Sequence, residues 1–270
     1  MISDGVPDDG MGGGSAAGEG EPAKLIAEAA AAPVAGRGFS WLDGRASLDQ
    51  PAWDYAGLLI DRMGASAAAL DIETGDGELL ARVPYPPPLL AATTSDAAAV
   101  ELARSRLEPL GAVVELTDDE AGLPYPAQWF DLVTSRDPGA VPWPEIARVL
   151  EPGGSCIAQQ VGTVDGSELA GFLAGSPAAG GASSAQQAAA DARAAGLEVT
   201  DLREQPLRVE FFDVGAVVWF LRKVPAVPDF SVEAHAARLA DLHRKIQAEG
   251  PFGCSAQRYL IEARKPGPDD

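Results

Sequence analysis

The chain has 270 residues, 46% of them hydrophobic, enough to cover both faces of a sheet without help from metals or disulfides. Its 40 acidic against 20 basic residues give a formal charge of −20, a field that repels phosphate backbones and argues against nucleic acid as a partner. Two cysteines, Cys156 and Cys254, make neither a C-x-x-C pair nor a disulfide framework, so each is expected as a small buried residue. No run approaches the roughly 18 apolar residues of a membrane span, and the first 20 residues are acidic and glycine-rich, unlike a leader sequence; a cytoplasmic protein with no membrane contact is expected.

Residues 1–22 have little to bury and much backbone entropy to lose, so they are expected as a disordered tail. One domain then covers residues 23–266, with a short tail at 267–270. A helical pattern over residues 23–32, with Leu25 and Ile26 as its large apolar side chains, is expected to lie across the domain as a cover. Residues 51–63 read as a helix with Pro51 in its first turn and Tyr55, Leu58, Leu59 and Met63 as an apolar stripe. In SAAALDIETGDG an apolar run meets an acidic, glycine-containing turn, the pattern of a buried parallel strand entering a ligand-binding loop; residues 78–82 begin the next helix.

LLAATT is a second buried strand, residues 96–107 a helix, AVVELT a third strand and WFDLVTSR a fourth. A short helix over residues 145–150 stops at EPGG, SCIAQQVG is a fifth strand, residues 171–184 are a loop and residues 185–195 a helix ended by Gly196. LEVTDLRE is a sixth strand. FFDVGAVVWFLRKV alternates like a strand, yet Asp213 as a cap and Arg222 and Lys223 in a last turn favour a buried helix. Residues 231–249 form a helix with Val232, Leu239, Leu242 and Ile246 inward, and RYLIEA closes the sheet. Strands apolar on both faces, alternating with helices, require a mostly parallel sheet covered on both sides.

Glycines at a strand end let backbone N–H groups approach a ligand, and an acid there can fix the loop or accept a bond from a cation; here the acid is Asp71 and the glycines are Gly75 and Gly77. The two histidines, His235 and His243, lie eight residues apart on the last helix. His235 is expected at a packing position and His243 at the surface beside Arg244, the alternative being that one serves the cavity as a base. Neither has metal-ligand spacing, and no G-x-S-x-G or G-x-x-x-x-G-K sequence is present. Glu73, Arg136, Asp137, Gln159, Gln160, Asp213 and Tyr259 complete the cavity candidates. Gln159 and Gln160 suit orientation of a polar substrate, and Glu73 suits a general acid or base if its pocket is dry. Aromatic residues including Phe211, Trp219, Phe220 and Phe252 serve as core, with a subset lining an apolar chamber.

The spacing from ALDIETGDGELL through LPYPAQWFDLVTSR to EIARVLEPGGSCIAQQVG resembles the class I S-adenosylmethionine-dependent methyltransferases, in the small-molecule branch with a methyltransferase type 11 domain. FFDVGAVVWFLRKVP and FSVEAHAARLADLHRKIQAEGPF are similar to the C-terminal half of an actinobacterial group of such proteins. The resemblance spans residues 40–266 and implies a Rossmann-like α/β fold with a mostly parallel seven-stranded sheet. It implies S-adenosylmethionine as cofactor and methyl transfer to a small molecule, including a secondary metabolite; the sequence leaves the oligomeric state open, a homodimer included. Residue by residue, Asp71, Gly75 and Gly77 match the donor loop, Asp119 the acid at the adenine amino group, residues 134–137 the strand end near donor and substrate, and Gln159 and Gln160 the strand end beside the substrate.

Three positions depart from the pattern. Glu73 stands where the family has the first loop glycine, and a side chain there is expected to point at the donor's amino acid portion. Thr93 and Thr94 end the second strand where the family has an acid that accepts the ribose hydroxyls, with Asp96 two residues late; Thr94 can supply one such bond. Asp137 follows Arg136 where relatives carry His. These departures leave two other readings: a repurposed enzyme (cyclase, isomerase or lyase) that has lost methyl transfer, and a non-catalytic small-molecule-binding or scaffold protein.

Overall fold

A computed structural model of the chain describes residues 16–34, 39–117, 122–136, 141–165, 167–175, 184–224, 226–227 and 229–268. In chain order the elements are α1 (Ala16–Ala31), β1 (Ala46–Leu48), α2 (Tyr55–Ala65), β2 (Ala68–Ile72), β3 (Leu89–Thr94), α3 (Val100–Leu107), β4 (Val113–Leu116), β5 (Phe130–Arg136), α4 (Trp143–Val149), β6 (Leu150–Asp165), α5 (Ser167–Ala174), α6 (Ser184–Ala194), β7 (Glu198–Phe211), α7 (Val214–Lys223), α8 (Ala236–Glu249) and β8 (Phe252–Arg264).

All eight strands join one sheet in the order β1-β7-β8-β6-β5-β2-β3-β4. β2 to β6 pair in parallel, while β8 runs antiparallel to both β6 and β7, and β1 antiparallel to β7. The sheet is therefore mixed and eight-stranded, where the sequence predicts a mostly parallel sheet of seven. The added strand is the three-residue β1, whose pairing to Val209, Glu210 and Phe211 leaves no apolar run of its own to read.

Alternate residues of each central strand serve opposite faces. Ala69, Leu132, Ile157 and Leu260 pack with Tyr55, Leu59 and Met63 of α2 and with Leu107 of α3. Leu70, Val133, Cys156 and Ile261 face the other way, onto Trp143, Ile146 and Val149 of α4 and the alanines of α6. Both cysteines are free and buried, and burial pushes the Cys156 thiol up to about 12, as fits an inert core residue.

A third core lies at the far end of the long strands. β6, β7 and β8 continue past the parallel sheet, and Val209, Phe211, Phe252, Cys254 and Ala256 pack beneath α1, α5, α7 and α8. This cover stands beyond the C-terminal end of β6. α1 holds onto α7 through its own last carbonyls: the Trp219 indole donates to Pro33 O (2.9 Å), Arg222 to Ala29 O (2.5 Å) and Ala32 O (2.8 Å), and Lys223 to Val34 O (3.1 Å). The helices cross closely, because a Cβ on Gly215 would stand 2.8 Å from Leu25 O.

Several boundaries differ from the expected ones. α1 begins at Ala16 instead of residue 23, and includes Pro22. α2 starts at Tyr55, capped by Asp54, whose carboxylate accepts from Gly57 N (3.0 Å); Pro51 precedes the helix instead of opening it. Only a 3-10 turn over Leu80–Arg82 follows the first loop, and α5 occupies the start of the segment expected as a loop. The last helix starts at Ala236, not at residue 231. The ambiguous segment before Val224 is the helix α7: Asp213 caps it, accepting from Ala216 N at 2.9 Å. Asp213→Ala removes that bond and is expected to cost about 1–2 kcal/mol, read as a lower urea midpoint with unchanged slope.

Candidate functional site

The strands β4, β3, β2, β5 and β6 all end on the same edge; from β2 the chain builds outward through β3 to β4, then crosses back to β5 on the other side of β2. Such a reversal of strand order opens a crevice at the strand ends. Asp71 sits at its centre. It pairs in register with Thr134 of β5, whose hydroxyl donates to Asp71 Oδ1 at 2.6 Å. Burial pushes the Asp71 carboxyl up to about 6, against the opposing pull of the Thr134 hydrogen bond and the Arg136 charge.

After Asp71 the chain makes a tight loop in which Glu73, Gly75 and Gly77 take positive φ of 60°, 63° and 77°. The two glycines have different reasons for being glycine. A Cβ on Gly77 would meet the Leu107 side chain of α3 at 2.9 Å, so this position is fixed by packing, whereas a Cβ on Gly75 would meet nothing within 4 Å. Gly75 is the one that leaves backbone accessible to a ligand.

Glu73 does not project as the sequence predicts. Its N–H donates to Thr93 Oγ1 (3.3 Å), and its carboxylate turns to the tip of β3, where Oε2 accepts from Ser95 N (3.1 Å) and Ser95 Oγ (3.2 Å). Thr74 N donates to Thr93 O at 2.8 Å, so the loop is stitched to β3 twice over. Thr94 is fully buried and its hydroxyl accepts from Asp96 N (3.2 Å), which removes it from the ligand side. Asp96 accepts from Ala98 N (2.9 Å) and so serves the turn into α3.

On the β5–β6 side, Arg136 is exposed and pairs in register with Gln159. The Trp53 indole donates to Gln159 Oε1 (2.8 Å) and the Tyr55 hydroxyl to Ser135 O (3.0 Å), so the start of α2 braces both strand ends. Gln160 points to the opposite face beside Tyr259, and among the described residues its buried amide nitrogen has no hydrogen-bond partner, nor has the buried Ser135 hydroxyl. Burial pushes the Tyr259 phenol up to about 12.

His243, expected at the surface, is buried instead, while His235 is half-buried in a packing contact as expected. His243 is 6% exposed, beside Leu239, Leu242 and Ile246 in the third core, and its Nδ1 is buried with no partner among the described residues. His235 ends a turn before α8, with Nδ1 3.0 Å from Ser231 O and its ring 5.3 Å from Phe230. No described hydrogen bond joins either to the strand-end cluster. Asp119 and Asp137 lie outside the described residues. No group of three metal-ligating side chains occurs among the described residues, and no described helix is long and apolar enough to cross a membrane. Two open clefts, of about 530 Å³ beside Arg104 and Glu108 and about 390 Å³ beside Arg208 and Ser255, are lined by none of Asp71, Glu73, Gly75, Arg136 or Gln159.

The structure thus brings Asp71, Glu73 and Gly75 together with Thr134, and Arg136 with Gln159. It withdraws Thr94, Asp213 and His243 into packing or capping roles. Ser95 and Tyr55 escaped sequence reasoning, since neither carries a chemical signal until the loop and α2 are placed.

Sheet, loop and cover form an α/β fold of the methyltransferase-like kind, with a mixed eight-stranded sheet. No family model and no curated protein matches the chain. Among solved structures the chain is similar to a Bacillus halodurans protein provisionally named a methyltransferase, with TM-score 0.53 and 18% identity over 78% of this chain and 99% of that one. It is equally similar to the YcgJ protein of Bacillus subtilis, with TM-score 0.53 and 21% identity over 78% of this chain and 97% of that one. A protein of unknown function from Deinococcus radiodurans R1 matches with TM-score 0.52 and 16% identity over 82% of this chain and 90% of that one. These likenesses are of fold.

Proposed function

We propose that the chain binds S-adenosylmethionine across the ends of β2, β3 and β5 and directs its methyl group to a small molecule held beside β6. The observation that carries this reading is the loop in which Glu73, Gly75 and Gly77 take left-handed φ, set between a buried carboxyl and a neighbouring strand tip at the reversal of strand order. The residues present fit the group at three points. The open side of Gly75 admits a ligand to the backbone, Asp71 offers a carboxylate to an ammonium, and the Glu73 side chain has swung clear toward Ser95.

The bound donor supplies an electrophilic methyl, and in-line transfer asks the protein chiefly for position. Asp71, held by Thr134, orients a cationic end of the ligand. Gln159, fixed by Trp53, presents a polar group to the acceptor. Arg136 sets a positive charge at the mouth. His243 has no part in this arrangement. Asp119 remains the residue proposed for the adenine amino group and Asp137 for the substrate side, on the strength of the sequence resemblance.

Calorimetric titration with S-adenosylmethionine and S-adenosylhomocysteine tests the reading. Micromolar binding is expected, reduced at least tenfold in Asp71→Ala; no heat at millimolar donor sinks it.

A further inference from the structure

We infer that Arg106, in the last turn of α3 and outside the loop itself, is the positioning residue of the donor loop: its guanidinium holds Asp76 so that the Gly75 backbone stands ready for the ligand. The inference rests on the donor-binding reading above and extends it to a side chain 30 residues further along the chain.

Three observations lead to it. The first is how the loop spends its backbone. Glu73 N donates to Thr93 Oγ1, Thr74 N to Thr93 O (2.8 Å), Gly77 N to Thr74 O (3.1 Å) and Glu78 N to Asp76 Oδ1 (3.1 Å). No described residue accepts from Gly75 N, so the apex keeps an N–H for a ligand while both flanks are tied. The second is the grip on the limb that leaves the apex. One guanidinium nitrogen of Arg106, Nη1, donates to Asp76 O (3.0 Å) and to Asp76 Oδ2 (2.7 Å), one hydrogen to each, which fixes main chain and side chain at once. Burial pushes the Asp76 carboxyl up, but the Arg106 and Glu78 hydrogen bonds outweigh it and hold the group below the ordinary carboxylate value. The third is the neighbour of Arg106: Leu107 fills the space that a Cβ on Gly77 would enter. The last turn of α3 thus seats two consecutive loop residues, as the tip of β3 seats Glu73 and Thr74.

Magnitudes place the role in binding more than in folding. The Arg106 and Asp76 side chains are 32% and 43% exposed, so the pair adds little to the stability of the whole chain, and water can take its place. Water does not hold the shape of the loop. Glu73, Gly75 and Gly77 keep left-handed φ, and two of these three are glycines, which gain the most backbone freedom when released.

The test titrates S-adenosylhomocysteine into the wild type, Arg106→Gln, Arg106→Lys, Asp76→Asn and the variant that combines Arg106→Gln with Asp76→Asn, with thermal unfolding and amide hydrogen exchange of each. Arg106→Gln is expected to bind about tenfold more weakly, because binding must then order backbone that the wild type holds in place. Its melting temperature stays within about 3 °C of the wild type. The Gly77 amide exchanges faster in this variant and regains protection when S-adenosylhomocysteine is added, while the amides of β2 do not change. Arg106→Lys keeps the charge without the planar fork and recovers part of the affinity. The combined variant binds no more weakly than Arg106→Gln, since both changes break one contact. Additive losses in the combined variant overturn the proposal, and so does a loss of affinity that melting and β2 exchange share, which assigns Arg106 to folding alone. A wild type that binds no S-adenosylhomocysteine removes the donor-binding reading together with this inference, whereas a wild type that binds, with Arg106→Gln binding equally well, removes this inference alone.

Discussion

Asp71→Asn is expected to stabilise the ligand-free protein at pH 7 while weakening its hold on the donor. The Asp71 carboxyl stands at about 6 in the folded chain against an ordinary 3.8, because burial disfavours its charge. A folded-state value raised above the unfolded one means that the folded protein holds the proton more tightly. The stabilisation from that proton is complete below about 4 and is lost as pH rises through 6. At neutral pH the folded protein therefore carries a buried charge costing roughly 2–3 kcal/mol. Asparagine keeps the shape and still accepts from Thr134, but never ionises. Its advantage over the wild type should be full at pH 7 and vanish near pH 4, measured by urea unfolding across that range. A pH-independent difference refutes the assignment. Affinity moves the other way: without the negative charge, S-adenosylhomocysteine should bind about 10- to 100-fold more weakly, and wild-type affinity should itself fall as pH drops below about 6.

Gly77→Ala should be among the most damaging single substitutions in the loop. The new methyl lands 2.9 Å from Leu107 Cγ and 3.0 Å from its Cδ1, and Leu107 is fully buried. Overpacking a filled core and placing a Cβ at φ +77° together cost about 2–4 kcal/mol. Gly75→Ala meets open space, so only the backbone term of about 1 kcal/mol applies. Thermal melting should therefore separate two glycines that the sequence treats as equivalent. Calorimetry should reverse their order, with Gly75→Ala folded but impaired in donor binding. Equal melting temperatures for the two variants contradict the packing argument.

The central strands and α7 were legible for a definite reason: β2, β3, β5 and β6 are apolar on both faces, and Asp213 and the Arg222–Lys223 pair mark both ends of a helix. The extended ends of β7 and β8 were not. Leu207, Val209 and Phe211 do alternate inward, but Pro206 interrupts the run, and the inward residues of β8 include Cys254 and Ala256, too small to announce a core. The α2 boundary went to Pro51 because the cap, Asp54, has its signature only in the bond to Gly57. At the proposed site, the placement of Asp71 at the end of β2 and of Gly75 in the loop after it could be read from spacing alone. Thr94 and His243 could not, since nothing local says that a threonine hydroxyl is spent on the next turn or that a histidine among charged neighbours faces inward. Glu73 was visible as an anomaly, but its direction depends on Ser95, a contact 22 residues away.

The grip of α7 on α1 bears on how the chain acquires its structure during translation. The partners of Ala29, Pro33 and Val34 lie 193, 186 and 189 residues downstream. At about 5–20 residues per second, Leu25 and Ile26 wait roughly 10–40 s for the surface that buries them. Of the described elements α1 is made earliest, yet it cannot dock before α7 is made, and the strongly acidic chain keeps nascent copies apart in the interval by mutual repulsion.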